Sequence, residues 1–163
     1  MELVAGEVMQ RNLRTVSPDI GLPELEREFI AHGVGGFPVL EQGQLVGIVS
    51  RSDVIRQLTI EHHSAEVTSD FYRDETGFHE VPLETLAQLN ARVGERIEQL
   101  RVRDVMSCRL FKVGLDQPLR FVAQTLVENQ IHRVLVTDEG RLMGLVSTLD
   151  IVRLVAHGRL KLV

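Results

Sequence analysis

Two short runs carry the residue types and spacing with the most chemical content: Ser50-Arg51-Ser52-Asp53 and Ser147-Thr148-Leu149-Asp150. A serine three residues ahead of a carboxylate, just before apolar residues such as Ile151, Val152, Leu154 and Val155, marks a helix N-terminus. The serine caps the first turn, and the acidic residue favours the positive end of the helix dipole. Such an end presents free backbone N–H groups, so it is also a seat for an anion.

The two runs belong to a longer repeat. GQLVGIVSRSDVIR (Gly43–Arg56) and GRLMGLVSTLDIVR (Gly140–Arg153) lie 97 residues apart and agree at seven of fourteen positions. Average residue usage would give about one match. Self-similarity at a fixed offset means one supersecondary unit present twice. The same offset aligns Val8-Met9 with Val105-Met106, Leu13 with Leu110, and Val16 with Val113.

Each copy then reads in the same order. Short strands are expected around Thr15-Val16 and Lys112-Val113, with Asp19 and Asp116 as turn or cap residues and Pro118 in a first helical turn. Leu22, Leu25, Phe29 and Ile30 have helical spacing, as do Leu119, Val122, Ala123, Leu126 and Val127; Gly33 and Asn129 stand near the helix ends. Strands follow at Phe37–Leu40 and Val134–Thr137, then polar turns with Gly43 or Gly140, then strands at 45–49 and 142–146. The last helix opens at Ser50 or Ser147. The fold class is α/β, a β-α-β-β-α unit twice. The expected boundaries are 1–58 for the first repeat, 59–101 for a helical insert and 102–163 for the second repeat. Within the insert, Leu86, Leu89, Val93, Ile97 and Leu100 predict an amphipathic helix over 83–100, read as an intrachain or dimer contact.

Composition bounds the function. The 163 residues carry a formal net charge of −5, which gives the chain as a whole no electrostatic footprint for nucleic acid but leaves room for a local anion pocket. Cys108 is the only cysteine, so no intrachain disulfide can form, and a reducing, cytoplasmic setting is expected. No apolar run approaches the roughly 18 residues of a membrane span, and the N-terminus lacks a secretory pattern. There is no nucleophile elbow, P-loop or pair of catalytic carboxylates, and Cys108 lies in no nucleophile motif; the chain reads as no enzyme. His62-His63 and His79-Glu80 have irregular spacing, and adjacent histidines diverge on a helix, so no metal site is expected.

A tandem unit of this order, closed by G-h-x-S-x-x-D (h apolar), resembles the CBS domain, named after cystathionine β-synthase. The motif is complete at Gly47–Asp53 and at Gly144–Asp150, and Val8-Met9, Val105-Met106 and Phe37-Pro38-Val39 also look like the family. The resemblance covers about 5–58 and 102–157. It implies two repeats about a pseudo-two-fold axis (a Bateman module), clefts that bind AMP, ADP, ATP or S-adenosylmethionine, and a disc-shaped homodimer.

It also implies roles for particular residues. Asp53 and Asp150 would accept the 2′ and 3′ hydroxyls of a ribose; the alternative is that each only caps its own helix. Ser50 and Ser147 are N-caps, or donors to ribose or phosphate. The segment Ile131–Val136 is similar to the H-R-h-P-V segment of the γ regulatory subunit of AMP-activated protein kinase, where His and Arg face phosphates. His132 and Arg133 would do so here, Arg by a two-pronged contact, unless they are merely surface residues. Leu135 stands where that pattern has Pro, and the first repeat has Gly35-Gly36 in place of His-Arg, so the two clefts should differ. Lys112, Arg51 and Thr148 would lie near the cleft mouths. Val16, Val39, Val113 and Val136 would line the adenine, as side-chain walls or through their backbone.

The expected function is a regulatory module that needs no cofactor, takes an adenine nucleotide as ligand and signals to a protein partner in trans. No nucleic acid or membrane is expected as partner. The rival expectation is a constitutive dimerisation or scaffold protein that keeps the fold without ligand.

Overall fold

A computed structural model describes residues 2–58, 70–73 and 98–160. In chain order the elements are α1 (Ala5–Val8), α2 (Leu22–His32), β1 (Gly36–Glu41), β2 (Gln44–Ser50), α3 (Arg51–Leu58), α4 (Asp70–Arg73), α5 (Val102–Val105), β3 (Lys112–Gly114), α6 (Leu119–Glu128), β4 (Arg133–Asp138), β5 (Arg141–Ser147) and α7 (Thr148–Ala156). All but the last three residues of the helix expected at 83–100 lie outside the described residues, as do His62, His63, His79 and Glu80.

The chain divides into two compact units that do not follow the order of the repeats. One is continuous, Arg14–Leu110; the other joins Met1–Leu13 to Phe111–Val163. The opening segment of each repeat is thus built into the unit that holds the body of the other.

In the continuous unit, β1 and β2 form an antiparallel hairpin. Its two-residue turn places Gln42 at φ 51° and Gly43 at φ 80°; in the other unit Glu139 and Gly140 have 46° and 81°. Positive φ at both central residues defines the hairpin turn whose twist matches the flanking strands, hence a glycine in each. The amphipathic helix α2 buries Leu22, Leu25 and Phe29. They share one core with Phe37, Val39, Val49 and Val54 and with Val102 and Val105 of α5. The Phe29 and Phe37 rings stack with centroids 5.2 Å apart.

The other unit has the same hairpin, β4–β5, and adds a parallel strand, β3, against β4. The corresponding strand expected around Thr15-Val16 shrinks to a single bridge between Val16 and Val39. One residue accounts for much of the difference. The Leu135 N–H donates to the Phe111 carbonyl at 3.0 Å and lengthens the pairing. The matching position is Pro38, which has no N–H to give.

The exchanged segments dock by equivalent contacts. In the discontinuous unit Val4 bridges Pro118 and Gln10 bridges Leu145; in the continuous unit Arg101 bridges Gly21 and Ser107 bridges Ile48. The short helices α1 and α5 are each capped by a carboxylate reaching back, Glu7 to the Val4 N–H at 3.0 Å and Asp104 to the Arg101 N–H at 2.8 Å. The methionine after each helix then lies on a glycine. A Cβ placed on Gly47 would stand 2.7 Å from Met106 Sδ; one on Gly144 would stand 2.7 Å from Met9 Sδ and 2.6 Å from the Gln10 carbonyl oxygen. Those glycines open the family-like motif, and close backbone approach is the reason for them.

The two contacts predict unequal costs. Gly144→Ala forces a backbone oxygen aside and should lower stability by about 1–3 kcal/mol. Gly47→Ala meets a flexible thioether first and should cost less, with Met106→Ala restoring most of it. Urea midpoints at unchanged slope would check both.

Candidate functional site

The strongest constellation in each unit is a buried carboxylate at the start of the last helix. Asp53 is 5% exposed and Asp150 8%, and Ser50 is wholly buried. An ionised carboxylate at that depth must be met by donors, and the helix start supplies them. Asp53 Oδ2 accepts the Ser50 N–H at 2.8 Å and the Ser50 hydroxyl at 2.7 Å, while Ser50 Oγ accepts the Asp53 N–H at 3.2 Å. The second copy matches: Asp150 Oδ2 accepts the Ser147 N–H at 2.9 Å and its hydroxyl at 2.6 Å, and Ser147 Oγ accepts the Asp150 N–H at 3.2 Å. This is the reciprocal capping pair that S-x-x-D spacing encodes.

Two arginines complete the corner. Arg56 Nη1 lies 3.1 Å from Asp53 Oδ1, and Arg153 Nη1 lies 3.5 Å from Asp150 Oδ1. Sequence reasoning passed over both, although each is the last identical residue of the fourteen-residue repeat. It also passed over Gln10, whose side-chain Nε2 is 3.0 Å from Asp150 Oδ1 and 3.0 Å from Oδ2. No repeat signal marked that residue, since its counterpart is Ser107.

The strands bring other expected residues to the same corner. The Thr148 N–H donates to the His132 carbonyl at 2.9 Å, so the residue before β4 is tied to the first residue of α7. Arg133 pairs with Ser147 across the β4–β5 ladder. His132, Arg133, Ser147 and Thr148, all half-buried, therefore gather where β4 begins and α7 starts. The first copy repeats the tie, with the Arg51 N–H donating to the Gly35 carbonyl at 3.1 Å. Lys112 is exposed at the first position of β3, opposite Leu135.

The four valines are core residues. Val39 and Val136 are fully buried, Val16 and Val113 nearly so, in the pairs Val16–Val39 and Val113–Val136. Arg51 is buried rather than placed at a mouth: its guanidinium carbon lies 5.4 Å from the Phe29 ring centre, and its Nε has no hydrogen-bond partner among the described residues. Burial lowers its pKa from the ordinary arginine value, and nearby Glu26 opposes that shift.

The sequence matches a known family over most of the chain. The family model of the CBS domain matches residues 5–60 and 102–157. The chain belongs to the CBS domain family. An uncharacterised protein of Methanocaldococcus jannaschii, MJ1426, is 30% identical over 150 residues, covering 90% of this chain and 87% of its own. The crystal structure of the CBS domain pair of protein MJ0100, in complex with 5′-methylthioadenosine and S-adenosyl-L-methionine, matches with a TM-score of 0.61 at 19% identity, covering 97% of this chain and 99% of that one. The structure of CBSX2 in complex with AMP matches with a TM-score of 0.65 at 20% identity, covering 96% and 98%. These structures share the fold. The two CBS repeats here therefore correspond to a CBS domain pair.

Among the described residues no helix is long and apolar enough to cross a membrane, and no cluster of His, Cys, Asp or Glu is arranged to hold a metal.

The capping pairs set stability whatever else they do. Ser147→Ala should cost about 1 kcal/mol, the usual worth of an N-cap. Ser50→Ala should cost more, up to about 2 kcal/mol, since there the hydroxyl is fully buried and its loss strips a donor from a buried carboxylate. Chemical unfolding of the two variants beside the parent gives the comparison.

Proposed function

We propose that the chain is a regulatory module that binds an adenine nucleotide or S-adenosylmethionine through the helix-start corner of each CBS repeat and reports occupancy to a protein partner in trans. The observation that carries this reading is the repeated corner itself: a buried carboxylate, a helix N-terminus and, in the second repeat, His132 and Arg133 at the adjoining strand start. Asp53 and Asp150 are the proposed ribose acceptors. Ser50, Ser147 and Thr148 are the proposed polar contacts at the helix ends, and Lys112, His132 and Arg133 the proposed phosphate donors. The backbone at Val16, Val39, Val113 and Val136 is proposed to hold the base. The adenosine ligands of the MJ0100 pair and of CBSX2 support the ligand class.

The proposal extends to a non-catalytic, cytoplasmic homodimer with repeats at 1–58 and 102–163 and an insert at 59–101, partnered by neither nucleic acid nor membrane. A ligand would act by favouring the state that binds it better. The second repeat, with His132 and Arg133 where the first has Gly35-Gly36, would take the more highly phosphorylated ligand.

One observation favours a second reading, a constitutive dimerisation scaffold: both carboxylates already have partners within the protein. Calorimetric titration with AMP, ADP, ATP and S-adenosylmethionine separates the two. The sensor reading expects saturable binding of one of them, lost in part with Asp53→Ala and in part with Asp150→Ala. At about 100 times its Kd the ligand should stabilise the fold by about 2.7 kcal/mol. A lack of binding by all four favours the scaffold.

A further inference from the structure

The Asp150 carboxylate has limited capacity for another donor. Oδ2 already takes the Ser147 N–H, the Ser147 hydroxyl and one contact from the Gln10 amide. Oδ1 takes the Gln10 amide at 3.0 Å and a long contact from Arg153 at 3.5 Å. A carboxylate offers about four lone-pair sites. A vicinal diol needs two of them, and the nitrogen of Gln10 sits equidistant from both oxygens, where such a diol would approach.

The placement of Gln10 suits a cover rather than a brace. Its backbone is held both ways by Leu145, N–H to carbonyl at 2.8 Å and carbonyl from N–H at 3.0 Å. The residue is nevertheless exposed, over a carboxylate that is 8% exposed. Rotation of the side chain alone would uncover Asp150 without disturbing the strand. The counterpart in the other unit is Ser107, which has the same backbone pairing to Ile48 but too short a side chain for this reach, and whose Oγ accepts the Arg109 N–H at 3.3 Å.

We propose that Gln10 occupies the diol-binding face of Asp150 and sets the affinity of that corner: a vicinal diol binds there only by replacing both amide contacts, and so at reduced affinity. The inference rests on the reading of Asp150 as a ribose acceptor. Gln10 belongs to the segment that Met9 anchors on Gly144, so ligand at Asp150 also frees one tether of that segment.

The test uses the full chain and four forms of it: the parent, Gln10→Ser, Gln10→Ala, and Gln10→Ser combined with Asp150→Asn. Serine at this position has a precedent in Ser107, and the backbone pairing needs no side chain, so the variants keep the fold. Each form is titrated with AMP, ATP and S-adenosylmethionine, and with 2′-deoxy-AMP and 2′-deoxy-ATP. Gln10→Ser and Gln10→Ala should tighten one class of site by about tenfold or more for a ribose ligand, the scale of releasing a hydrogen bond to a charged group. The 2′-deoxy ligands should gain nothing, and the Asp150→Asn combination should abolish the gain. A purely structural role would loosen binding of every ligand alike. Unchanged or weaker ribose binding in both Gln10 variants, with the parent still binding, overturns the role of Gln10 and leaves the nucleotide reading standing. A lack of binding by every form to every ligand overturns the nucleotide reading as well.

Discussion

A carboxylate taken out of water must be met by donors on the spot, and this small protein does so twice. Each buried aspartate is answered by the serine that caps its own helix, so the last strand must end, and the last helix begin, at that serine. The tie from the first helical N–H to the carbonyl just before the hairpin's first strand then follows, at Arg51 to Gly35 and at Thr148 to His132. Hairpin register, helix origin and the corner around the carboxylate are one arrangement seen from three sides. Its net energy is modest, as for most hydrogen bonds that replace water, but leaving any member unpaired would be expensive, and that asymmetry makes the geometry unique.

On this shared frame the two copies have diverged at a few matched positions. Pro38 and Leu135 decide how far the parallel strand runs. Gly33, in the left-handed region, is matched by Gln130, which takes nearly the same φ without glycine's freedom. Gly35-Gly36 against His132-Arg133, and Ser107 against Gln10, set the polarity of the two corners. Beyond the length of that strand, none of these pairs alters the architecture, because each lies where the backbone path is already fixed by neighbours. One fold can thus carry two unequal corners within a single chain.

Much of this was legible in the sequence. The offset repeat, the amphipathic helices and the S-x-x-D spacing depend on contacts within a few residues, and local pattern records such contacts faithfully. The capping role of Asp53 and Asp150 and the hairpin turns at Gly43 and Gly140 were readable for that reason. Three features were not. The docking of Val4–Gln10 beside Pro118 and Leu145 joins residues more than a hundred positions apart, and no periodicity reports it. The burial of Arg51 over Phe29 depends on a ring from another helix, where sequence shows only a charged residue near a helix start. Gln10 escaped notice because its importance comes from what it reaches, while the repeat highlights only what is the same in both copies.

The discontinuous unit has a consequence for how the chain comes into being. Residues 14–110 form one continuous unit, all of which has been made once Leu110 is added. Met1–Leu13 is made before that stretch, yet it belongs with Phe111–Val163, made after it. During synthesis the Val8-Met9 segment must therefore wait, apolar and unplaced, while nearly a hundred residues are added. Closing so long a loop before any contact rewards it slows folding and lengthens exposure to wrong partners. For the same reason neither repeat can be cut out as a working half. A fragment ending in the insert keeps an opening segment with nowhere to dock and lacks the one its own sheet requires.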